Sequence, residues 1–464
     1  MRVRVVRVPA ARWRQTVVER QAGGARFGSL HGTAGGEVRA LLVEPGGTCT
    51  LLRTKGRQVE SIVEDVPAAS WAEREARDLY GIEFEGHEPI RPLVLHSDDE
   101  WRVPVTGGGV HEVAVGPIHA GVIESGHFRL HTVGERILLL DLRLFYKHRG
   151  LERAAEGFAL EQAIAYAQRA CGTCAVTNSV AYAQAAETVL GLECGLPTAR
   201  ARTVLLEMER LYNHLNDLSA TCAGVGFAPG SMAFAALKER AQRLNQSLFG
   251  HRFLFGTVQV GGTRIQISSD ETGRASVEVA AIVADAAVAW REMIFNGSVQ
   301  DRLRGVGVLT RHQAVRTGAV GPSARASGLE LDARATSPEL LYSGFRASTL
   351  ANPSGDVAAR AEMRHVELSG TGELLARLLE DGLQSEQGRS ELPKQRIGCG
   401  RVESPRGETL CFVEGRSGRV ERLHLRTASY ANWPALGEAV PGNLLPEFPL
   451  INKSFELCYA CVDR

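Results

Sequence analysis

Two pairs of cysteines, each with two residues between its members, most constrain what this chain can fold into. The first pair is Cys171 and Cys174, and the second is Cys458 and Cys461, close to the last residue of the sequence. With nine cysteines in 464 residues, chance gives only about 0.17 such pairs. Thiols spaced in this way at a helix end or tight turn face the same side and can share a metal. The two pairs therefore predict a metal site.

The residue types leave several occupants of such a site open. Four thiolates form a soft ligand set, which suits zinc, an iron-sulfur cluster, or nickel and iron. Zinc ribbons and fingers are disfavoured, because their second pair follows after about 15 to 20 residues. A thioredoxin-type redox pair is also disfavoured, since neither pair follows a strand-to-helix pattern. Inert buried cysteines and a zinc staple between core and tail remain as alternatives.

Composition and charge exclude some classes of protein. The chain is 44% hydrophobic and long enough for two or three structural units. Lys plus Arg equals Asp plus Glu, at 53 each, so no global charge favours binding to nucleic acid. No run approaches the roughly 18 apolar residues of a membrane-spanning helix. The N-terminus lacks the apolar region of a secretory signal, and the odd number of cysteines indicates reduced thiols. We expect a cytoplasmic protein that reaches a membrane only through partners.

The pattern of elements predicts an α+β protein with two domains. Residues 1–107 alternate β-rich runs with turns and contain a helix from Ala68 that stops at Gly81. Residues 108–464 should begin with a β-hairpin and then become mainly helical. The predicted helices cover residues 159–190, 200–223, 231–248, 278–295 and 372–387. Residues 309–350 cannot be assigned, and four prolines predict an irregular tail.

Several segments resemble known families in order along the chain. ASWAEREARDLYGIEFEGHEPIRPLVL resembles the small hydrophilic subunit of respiratory complex I. GPIHAGVIESGHFRL, LFYKHRGLE, RACGTC and LEMERLYNHLNDL resemble the large, catalytic subunit of energy-converting, complex I-related nickel-iron hydrogenases of the formate hydrogenlyase type. The resemblance implies a mainly helical hydrogenase large-subunit domain, fused behind the smaller one, that oxidises dihydrogen and reduces protons reversibly.

The resemblance also implies a cofactor and partners. A nickel-iron centre, with carbon monoxide and cyanide on the iron, would have Cys171 and Cys458 as terminal nickel ligands. Cys174 and Cys461 would bridge the two metals. Implied partners are an iron-sulfur small subunit, a ferredoxin-like subunit and antiporter-like membrane subunits. With them the chain would lie peripherally on the inner face of the cell membrane, with dihydrogen and protons as substrates and no nucleic acid.

Two further residues match motifs of the hydrogenase family. Glu152, in HRGLE, corresponds to the glutamate that passes a proton away from the metal; without the motif it would be an acid at a helix start, favoured by the helix dipole. Arg406, in ESPRG, corresponds to the arginine over the open metal site, where a fixed cation can act electrostatically. Its alternative is a surface arginine in a turn.

Other polar residues point to structural roles. His119, His127 and His131 superficially resemble a metal cluster, but their spacing places them on different faces of a hairpin, so a polar interface is favoured. A second set has helical spacings and predicts an intrahelical charged network: Glu207, Arg210, His214 and Asp217.

The chain departs from the hydrogenase pattern in places. Asn178 stands where relatives usually have histidine, and Glu456-Leu457 stands where they usually have Asp-Pro. Arg464 follows directly after CVD, the point at which a maturation protease would cut a longer precursor, so a processed form and an unprocessed one are both open.

Two other functions also remain open from the sequence. One is a non-catalytic scaffold related to complex I, with zinc or no metal at the cysteines. The other is a quinone-reducing subunit that uses Tyr146 or Tyr212 with His127.

Overall fold

The N-terminal part of the chain is a small α+β unit. The fold is known from a computed structural model, which describes residues 3–95, 102–119 and 124–464. A four-stranded sheet has the order β1-β4-β3-β2, with β1 parallel to β4 and the other pairs antiparallel. The elements are β1 (Val3–Arg7), α1 (Trp13–Ala22), β2 (Arg26–Gly32), β3 (Glu37–Val43), β4 (Cys49–Lys55), β5 (Gln58–Glu60), α2 (Ser70–Tyr80) and β6 (Glu83–Glu85).

Helix α2 follows the sequence prediction closely. It starts just after the predicted Ala68, and it ends at Gly81, which adopts a left-handed conformation with φ of 63°. A residue without Cβ takes this conformation at low cost, so glycine is the usual residue there. One face of α2 packs on the sheet in an apolar core with Trp13, Val17 and Leu52.

A three-stranded antiparallel sheet follows. It consists of β7 (Val110–Val115), β8 (His127–Val133) and β9 (Arg136–Arg143), in the order β7-β8-β9. β8 and β9 form a tight hairpin around Gly134, as the sequence predicts, and β7 pairs with the outer edge of β8. The predicted segment between β7 and β8 lies partly at residues 120–123, outside the described residues.

The rest of the chain is mainly helical. Long helices α6, α7, α8 and α12 pack against one another, and short strands join the loops around them. Among the described residues, no helix combines the length and the apolar character needed to cross a bilayer. The helices are α3 (Leu151–Ala154), α4 (Ile164–Gln168), α5 (Ala175–Leu190), α6 (Leu196–Gly224), α7 (Ala228–Phe249), α8 (Ser269–Ile294), α9 (Gly297–Leu303), α10 (Arg311–Thr317), α11 (Gly321–Ala326), α12 (Val357–Leu378), α13 (Ala428–Ala439) and α14 (Phe448–Phe455). The strands are β10 (Leu192–Glu193), β11 (Val258–Gln259), β12 (Gly262–Thr263), β13 (Gln266–Ile267), β14 (Leu383–Gln384), β15 (Arg389–Ser390), β16 (Ile397–Ser404), β17 (Gly407–Arg416) and β18 (Arg419–Arg426).

Three predictions about helices are wrong in detail. The predicted helix over residues 159–190 is interrupted, and the first cysteine pair lies in the loop between α4 and α5. The helix predicted over residues 372–387 lies mostly earlier, as α12, because Asp356 caps its start by accepting a hydrogen bond from the Ala359 amide. The tail is not irregular: it contains α13, with Pro434 inside it, and α14.

The sheet β16-β17-β18 lies between the N-terminal α+β unit and helix α5 of the mainly helical part. One of its faces packs on the N-terminal sheet, and α5 covers β16 and β17. Gly398 and Gly400 on β16 lie directly against α5: a Cβ added at these positions would come within 2.0 Å of the Ala185 carbonyl oxygen and 1.8 Å of the Ala181 carbonyl oxygen. The absence of side chains at these glycines therefore sets how close α5 comes to the sheet.

Candidate metal centre

The fold brings the two cysteine pairs together. The sulfur atoms of Cys171, Cys174, Cys458 and Cys461 all lie within 4.8 Å of one another. Cys458 is half-buried and the other three are buried. This four-sulfur site forms where the loop before α5 meets the segment after α14. Four soft donors at mutual distances of this kind fit a thiophilic transition metal.

Side chains of α6 hold the first cysteine loop. The Glu209 carboxylate accepts hydrogen bonds from the backbone amides of Val176 at 2.7 Å and Thr177 at 3.1 Å, which satisfies free donors at the start of α5. Burial raises the pKa of Glu209 to about 7. Tyr212 and Asn213 donate to the Thr173 carbonyl at 3.3 and 2.9 Å. The loop is thus fixed on both sides of Cys174.

The second cysteine segment is fixed by hydrogen bonds to other parts of the chain. The Cys458 amide donates to the Ser429 hydroxyl at 3.1 Å, and the Thr427 hydroxyl donates to the Cys461 carbonyl at 3.2 Å. The Arg149 guanidinium donates to the Ala460 carbonyl at 2.8 Å. These contacts fix the segment that carries Cys458 and Cys461 against the rest of the chain.

The thiols interact with one another. Hydrogen bonds from the other three cysteines, together with the charge of Arg406, hold the pKa of Cys458 well below its usual value. Hydrogen bonds with their neighbours and burial raise the pKa of Cys174 and Cys461. The surroundings of Cys458 therefore favour its thiolate form, which is the form that binds a metal.

Arg406 is buried beside these sulfurs, not on the surface. Its guanidinium donates to the Glu456 carbonyl, to Asn213 Oδ1 at 2.7 Å, and to Asp217 Oδ1 at 3.4 Å. The negative charge of Cys458 contributes to a raised pKa of Arg406. The alternative of an exposed turn arginine is wrong, because the side chain is only 4% exposed. It places a fixed positive charge next to Cys458.

Glu152 is also buried, which excludes an exposed acid at a helix start. Its carboxylate accepts hydrogen bonds from Arg464 Nε at 2.8 Å and from the Leu425 amide at 2.8 Å, and Arg422 and His424 lie within 3.4 Å. Despite burial, the charges of His424, Arg464 and Arg422 hold its pKa well below the usual value. Glu152 therefore anchors the segment that follows Cys461, through Arg464.

The two departures from the hydrogenase pattern have different surroundings. Asn178 lies on the first turn of α5, fully buried, and neither atom of its amide has a hydrogen-bond partner among the described residues. Glu456 has a left-handed backbone with φ of 48°. Burial and the charge of Asp217 raise its pKa to about 7. Both polar groups are close in sequence to cysteines of the site, and an unpaired buried amide is the kind of group that a bound ligand satisfies.

The charged residues of α6 form a network, but most of their partners lie outside the helix. Arg210 contacts Glu207 at 3.3 Å within α6, whereas His214 contacts Glu367 of α12 at 3.0 Å. Asp217 pairs with Arg364 at 3.0 Å and faces Arg406. The prediction of a structural network is therefore right about charge pairing and wrong about its being intrahelical.

The three histidines do not form a cluster within the described residues: His127 and His131 lie on β8, whereas His119 lies in the segment after β7. His119 hydrogen bonds to the Gly126 carbonyl at 2.9 Å, His127 lies 3.5 Å from the Tyr146 hydroxyl, and His131 is buried in the sheet. Among the described residues, the metal-competent cluster consists of the four cysteines. Sequence reasoning missed Thr173, Glu209 and Asn213; the i, i+4 spacing of Glu209 and Asn213 on one face of α6 was the available signal.

Comparisons with known proteins give the family. Residues 225–397 and 387–464 match the family described as respiratory-chain NADH dehydrogenase, 49 Kd subunit. Residues 47–106 match the corresponding 30 Kd subunit family. Hydrogenase-4 component G of Escherichia coli (strain K12) is 31% identical over 461 residues, which cover 92% of this chain and 80% of that protein. Formate hydrogenlyase subunit 5 of the same organism is 31% identical over 438 residues, covering 87% and 76%.

A solved structure supports the fold. A chain from the membrane-bound sulfane sulfur reductase, an archaeal respiratory membrane complex, superposes with a TM-score of 0.69 at 24% identity, covering 77% of this chain and 99% of that one. The mixed α+β architecture predicted from the sequence is confirmed. The chain belongs to the family in which segments of the complex I 30-kDa and 49-kDa types are fused, together with large subunits of membrane-bound hydrogenases.

Proposed function

We propose that this chain is the catalytic large subunit of a nickel-iron hydrogenase, which oxidises dihydrogen and reduces protons. The four-sulfur site carries the proposal. It joins thiols from distant parts of the chain into one soft ligand set, within a family that contains hydrogenase subunits. Cys171, Cys174, Cys458 and Cys461 would together hold the nickel-iron centre.

The chain's own residues provide the surroundings for this chemistry. A bound nickel-iron pair, with carbon monoxide and cyanide on iron, would supply the Lewis acid for heterolytic cleavage of dihydrogen. Arg406 holds a permanent positive charge beside Cys458, fixed by Asn213 and Asp217. A terminal thiolate sulfur is the base that can take the released proton. We assign Glu152 as the next acceptor, because the charges of His424, Arg464 and Arg422 keep it, despite burial, in the carboxylate form that can accept a proton.

Electron transfer requires a partner. The other five cysteines are Cys49, Cys194, Cys222, Cys399 and Cys411, and within the described residues they form no ligand cluster. The proposal therefore includes an iron-sulfur small subunit, a ferredoxin-like subunit, and antiporter-like membrane subunits that hold the chain at the inner face of the membrane.

The first test is made on the whole complex, purified without oxygen. Mass spectrometry should find about one nickel per chain, and the infrared spectrum should show cyanide and carbonyl stretching bands. A Cys461→Ala variant should lose both, whereas Cys222→Ala, a buried single cysteine away from the site, should keep them. Zinc or no metal in the wild-type complex, with no such bands, would contradict the proposal.

The role of Glu152 needs a separate test, because the same carboxylate anchors Arg464. Glu152→Gln should keep nickel and lose most hydrogen turnover if proton transfer is its role. If nickel is lost and Cys461 becomes accessible to alkylation, the residue acts only as an anchor and its assignment as a proton acceptor is wrong. Glu156→Gln is the matched control, since that acid also contacts Arg422, at 3.3 Å, but is more exposed.

A second candidate function is a complex I-like subunit without hydrogenase activity. It is favoured by the match of most of the C-terminal half to the 49 Kd subunit family, and by the contact of the Tyr146 hydroxyl with His127 at 3.5 Å. A tyrosine and a histidine in contact form a pair suited to a quinone headgroup. Quinone-dependent turnover that survives Cys458→Ala and is lost in Tyr146→Phe would establish this function in place of the first.

A further inference from the structure

The Thr173 hydroxyl lies among the sulfur atoms of the four-sulfur site. Its oxygen is 3.3 Å from Cys171 Sγ and 3.3 Å from Cys458 Sγ, and 4.0 Å from Cys174 Sγ. Distances up to about 4 Å are hydrogen-bonding distances for sulfur, whose atomic radius exceeds that of oxygen. One hydroxyl thus contacts a cysteine from each pair.

The position of this hydroxyl is fixed by the backbone around it. The Thr173 carbonyl accepts hydrogen bonds from both Tyr212 and Asn213. Asn213 uses its other amide atom to accept from Arg406 at 2.7 Å. The loop that carries Thr173 is therefore tied to the same cation that lies beside Cys458, and its peptide plane cannot turn without breaking these bonds.

Metal binding would define the direction of the hydrogen bonds. In the free thiol state, either oxygen or sulfur can donate. Cysteines that bind a metal are thiolates and have no proton to donate, so the threonine hydroxyl becomes the donor. It has a single proton and two sulfurs at equal distance, and it can donate to one of them at a time.

A hydrogen bond to a thiolate draws electron density from the sulfur and weakens it as a donor to a metal. It also makes that sulfur a poorer base, because its lone pair is already engaged. The other sulfur, without the hydrogen bond, stays the better proton acceptor. At any one moment, the threonine hydroxyl thus makes the two thiolates unequal as donors.

We propose that Thr173 is a positioning residue whose hydroxyl hydrogen bonds alternately to the Cys171 and Cys458 thiolates and so tunes the electron density at the metal. This inference rests on the proposed nickel-iron centre, because it concerns two of its proposed ligands. It adds to the proposed function a determinant that lies between the two ligand cysteines of the first pair and is not itself a ligand.

The test compares two substitutions in the anaerobically purified complex. Thr173→Val removes the hydroxyl and keeps the side-chain shape, whereas Thr173→Ser keeps the hydroxyl and removes the methyl group. Thr272→Val is the matched control, because the hydroxyl of that buried threonine on α8 donates to the Ser269 carbonyl, at 3.1 Å, away from the four-sulfur site. Measurements are nickel content, the infrared positions of the cyanide and carbonyl bands, and the midpoint potential of the nickel electron paramagnetic resonance signal.

We expect Thr173→Val to keep nickel, to move the infrared bands to lower wavenumber and to lower the midpoint potential, since both thiolates become stronger donors. Thr173→Ser and Thr272→Val should match the wild type. The proposal is overturned if Thr173→Val is indistinguishable from the wild type, or if Thr173→Ser shifts as far as Thr173→Val, because packing would then be the cause. Failure of the proposed function is separate: the wild-type complex would itself lack nickel and the infrared bands.

Discussion

Two groups of cysteines in the described part of the chain lie in different surroundings. In the four-sulfur site, thiols from two distant segments converge with Arg406 and the Thr173 hydroxyl beside them. At the interface between the N-terminal sheet and β16, Cys49 and Cys399 lie with their sulfurs 3.7 Å apart. Apolar side chains surround this interface pair, and hydrogen bonding with Cys49 and burial raise the pKa of Cys399 well above its usual value.

The two groups differ in the number of sulfur donors and in the charges around them. The interface pair offers two donors in an apolar environment, where the neutral thiol is favoured. The four-sulfur site offers four donors and a fixed cation that stabilises a thiolate. The first arrangement holds two sheets together, and the second is suited to hold a metal.

The largest expected effect is on the nickel content, which should distinguish the four-sulfur site from the interface pair. If the proposed nickel-iron centre is present, Cys458→Ala should reduce nickel in the purified complex from about one per chain to near zero, because one of the four proposed ligands is lost. Cys399→Ala should leave nickel unchanged. Equal nickel in both variants, measured by mass spectrometry, would show that the two groups of cysteines do not differ in the way described.

A second effect concerns charge at the interface. Glu408 accepts from Arg26 at 2.7 Å, Arg401 at 2.6 Å and Arg426 at 3.1 Å. Glu408→Gln should lower the free energy of unfolding by about 3 to 5 kcal/mol at neutral pH, because buried cations lose their partner. Glu421→Gln, in a more exposed pair with Arg396, should change it by less than about 1 kcal/mol.

The stability difference caused by Glu408→Gln should depend on pH. The guanidiniums of Arg26, Arg401 and Arg426 hold the pKa of Glu408 well below its usual 4.5. Its contribution to stability is therefore present above pH 4.5 and is lost as the pH falls through the lower pKa of the folded state. In denaturant titrations, the difference in unfolding free energy between the wild type and Glu408→Gln should become smaller below pH 4.5. A difference that stays constant down to pH 3 would contradict this.

A third effect measures the apolar part of the interface. Leu410 on β17 is 1% exposed and packs against the N-terminal sheet. Leu410→Ala should cost about 3 kcal/mol of unfolding free energy, because the cavity is only partly filled by relaxation. Leu196→Ala, where the side chain is 74% exposed, should cost less than about 0.5 kcal/mol. Similar losses of unfolding free energy in the two variants would mean that the packing of the two sheets does not depend on Leu410.

The smallest expected effect is the loss of unfolding free energy when one cysteine of the interface pair is replaced. Cys399→Ala removes one buried sulfur and should cost about 1 kcal/mol, with no change in the infrared bands of the metal centre. Calorimetric unfolding of the complex and its infrared spectrum check both parts. A shift of the bands would show that the interface pair acts on the metal after all.

The four cysteines of the candidate site were predictable from the sequence, because their residue type and spacing are distinctive. The two CxxC pairs stand out against the background of cysteines, and helix α2 could be placed from its periodicity and from Gly81. The sheet β16-β17-β18 was not predicted. All residues of β16 are buried, so the alternation of apolar and polar residues that marks a half-exposed strand is absent.

Contacts between distant segments were beyond sequence reasoning. In the sequence, Thr173 is simply a residue between two cysteines. Only the fold shows that its hydroxyl also contacts the distant Cys458. Glu152 and Arg406 were recognised by motif, but their burial, and the anchoring of Arg464 by Glu152, depend on packing that no local pattern encodes. Pro434 indicated a break, yet α13 continues through it, because burial among neighbouring elements offsets the lost hydrogen bond.

The close contact of Gly398 and Gly400 with α5 makes the four-sulfur site sensitive to residues that lie outside it. α5 begins directly after Cys174, and its backbone lies on these two glycines with no room for a methyl group. Gly400→Ala would therefore push the helix away from the sheet and carry the first cysteine loop with it. The position of the first cysteine loop thus depends on a strand that contributes no sulfur to the four-sulfur site.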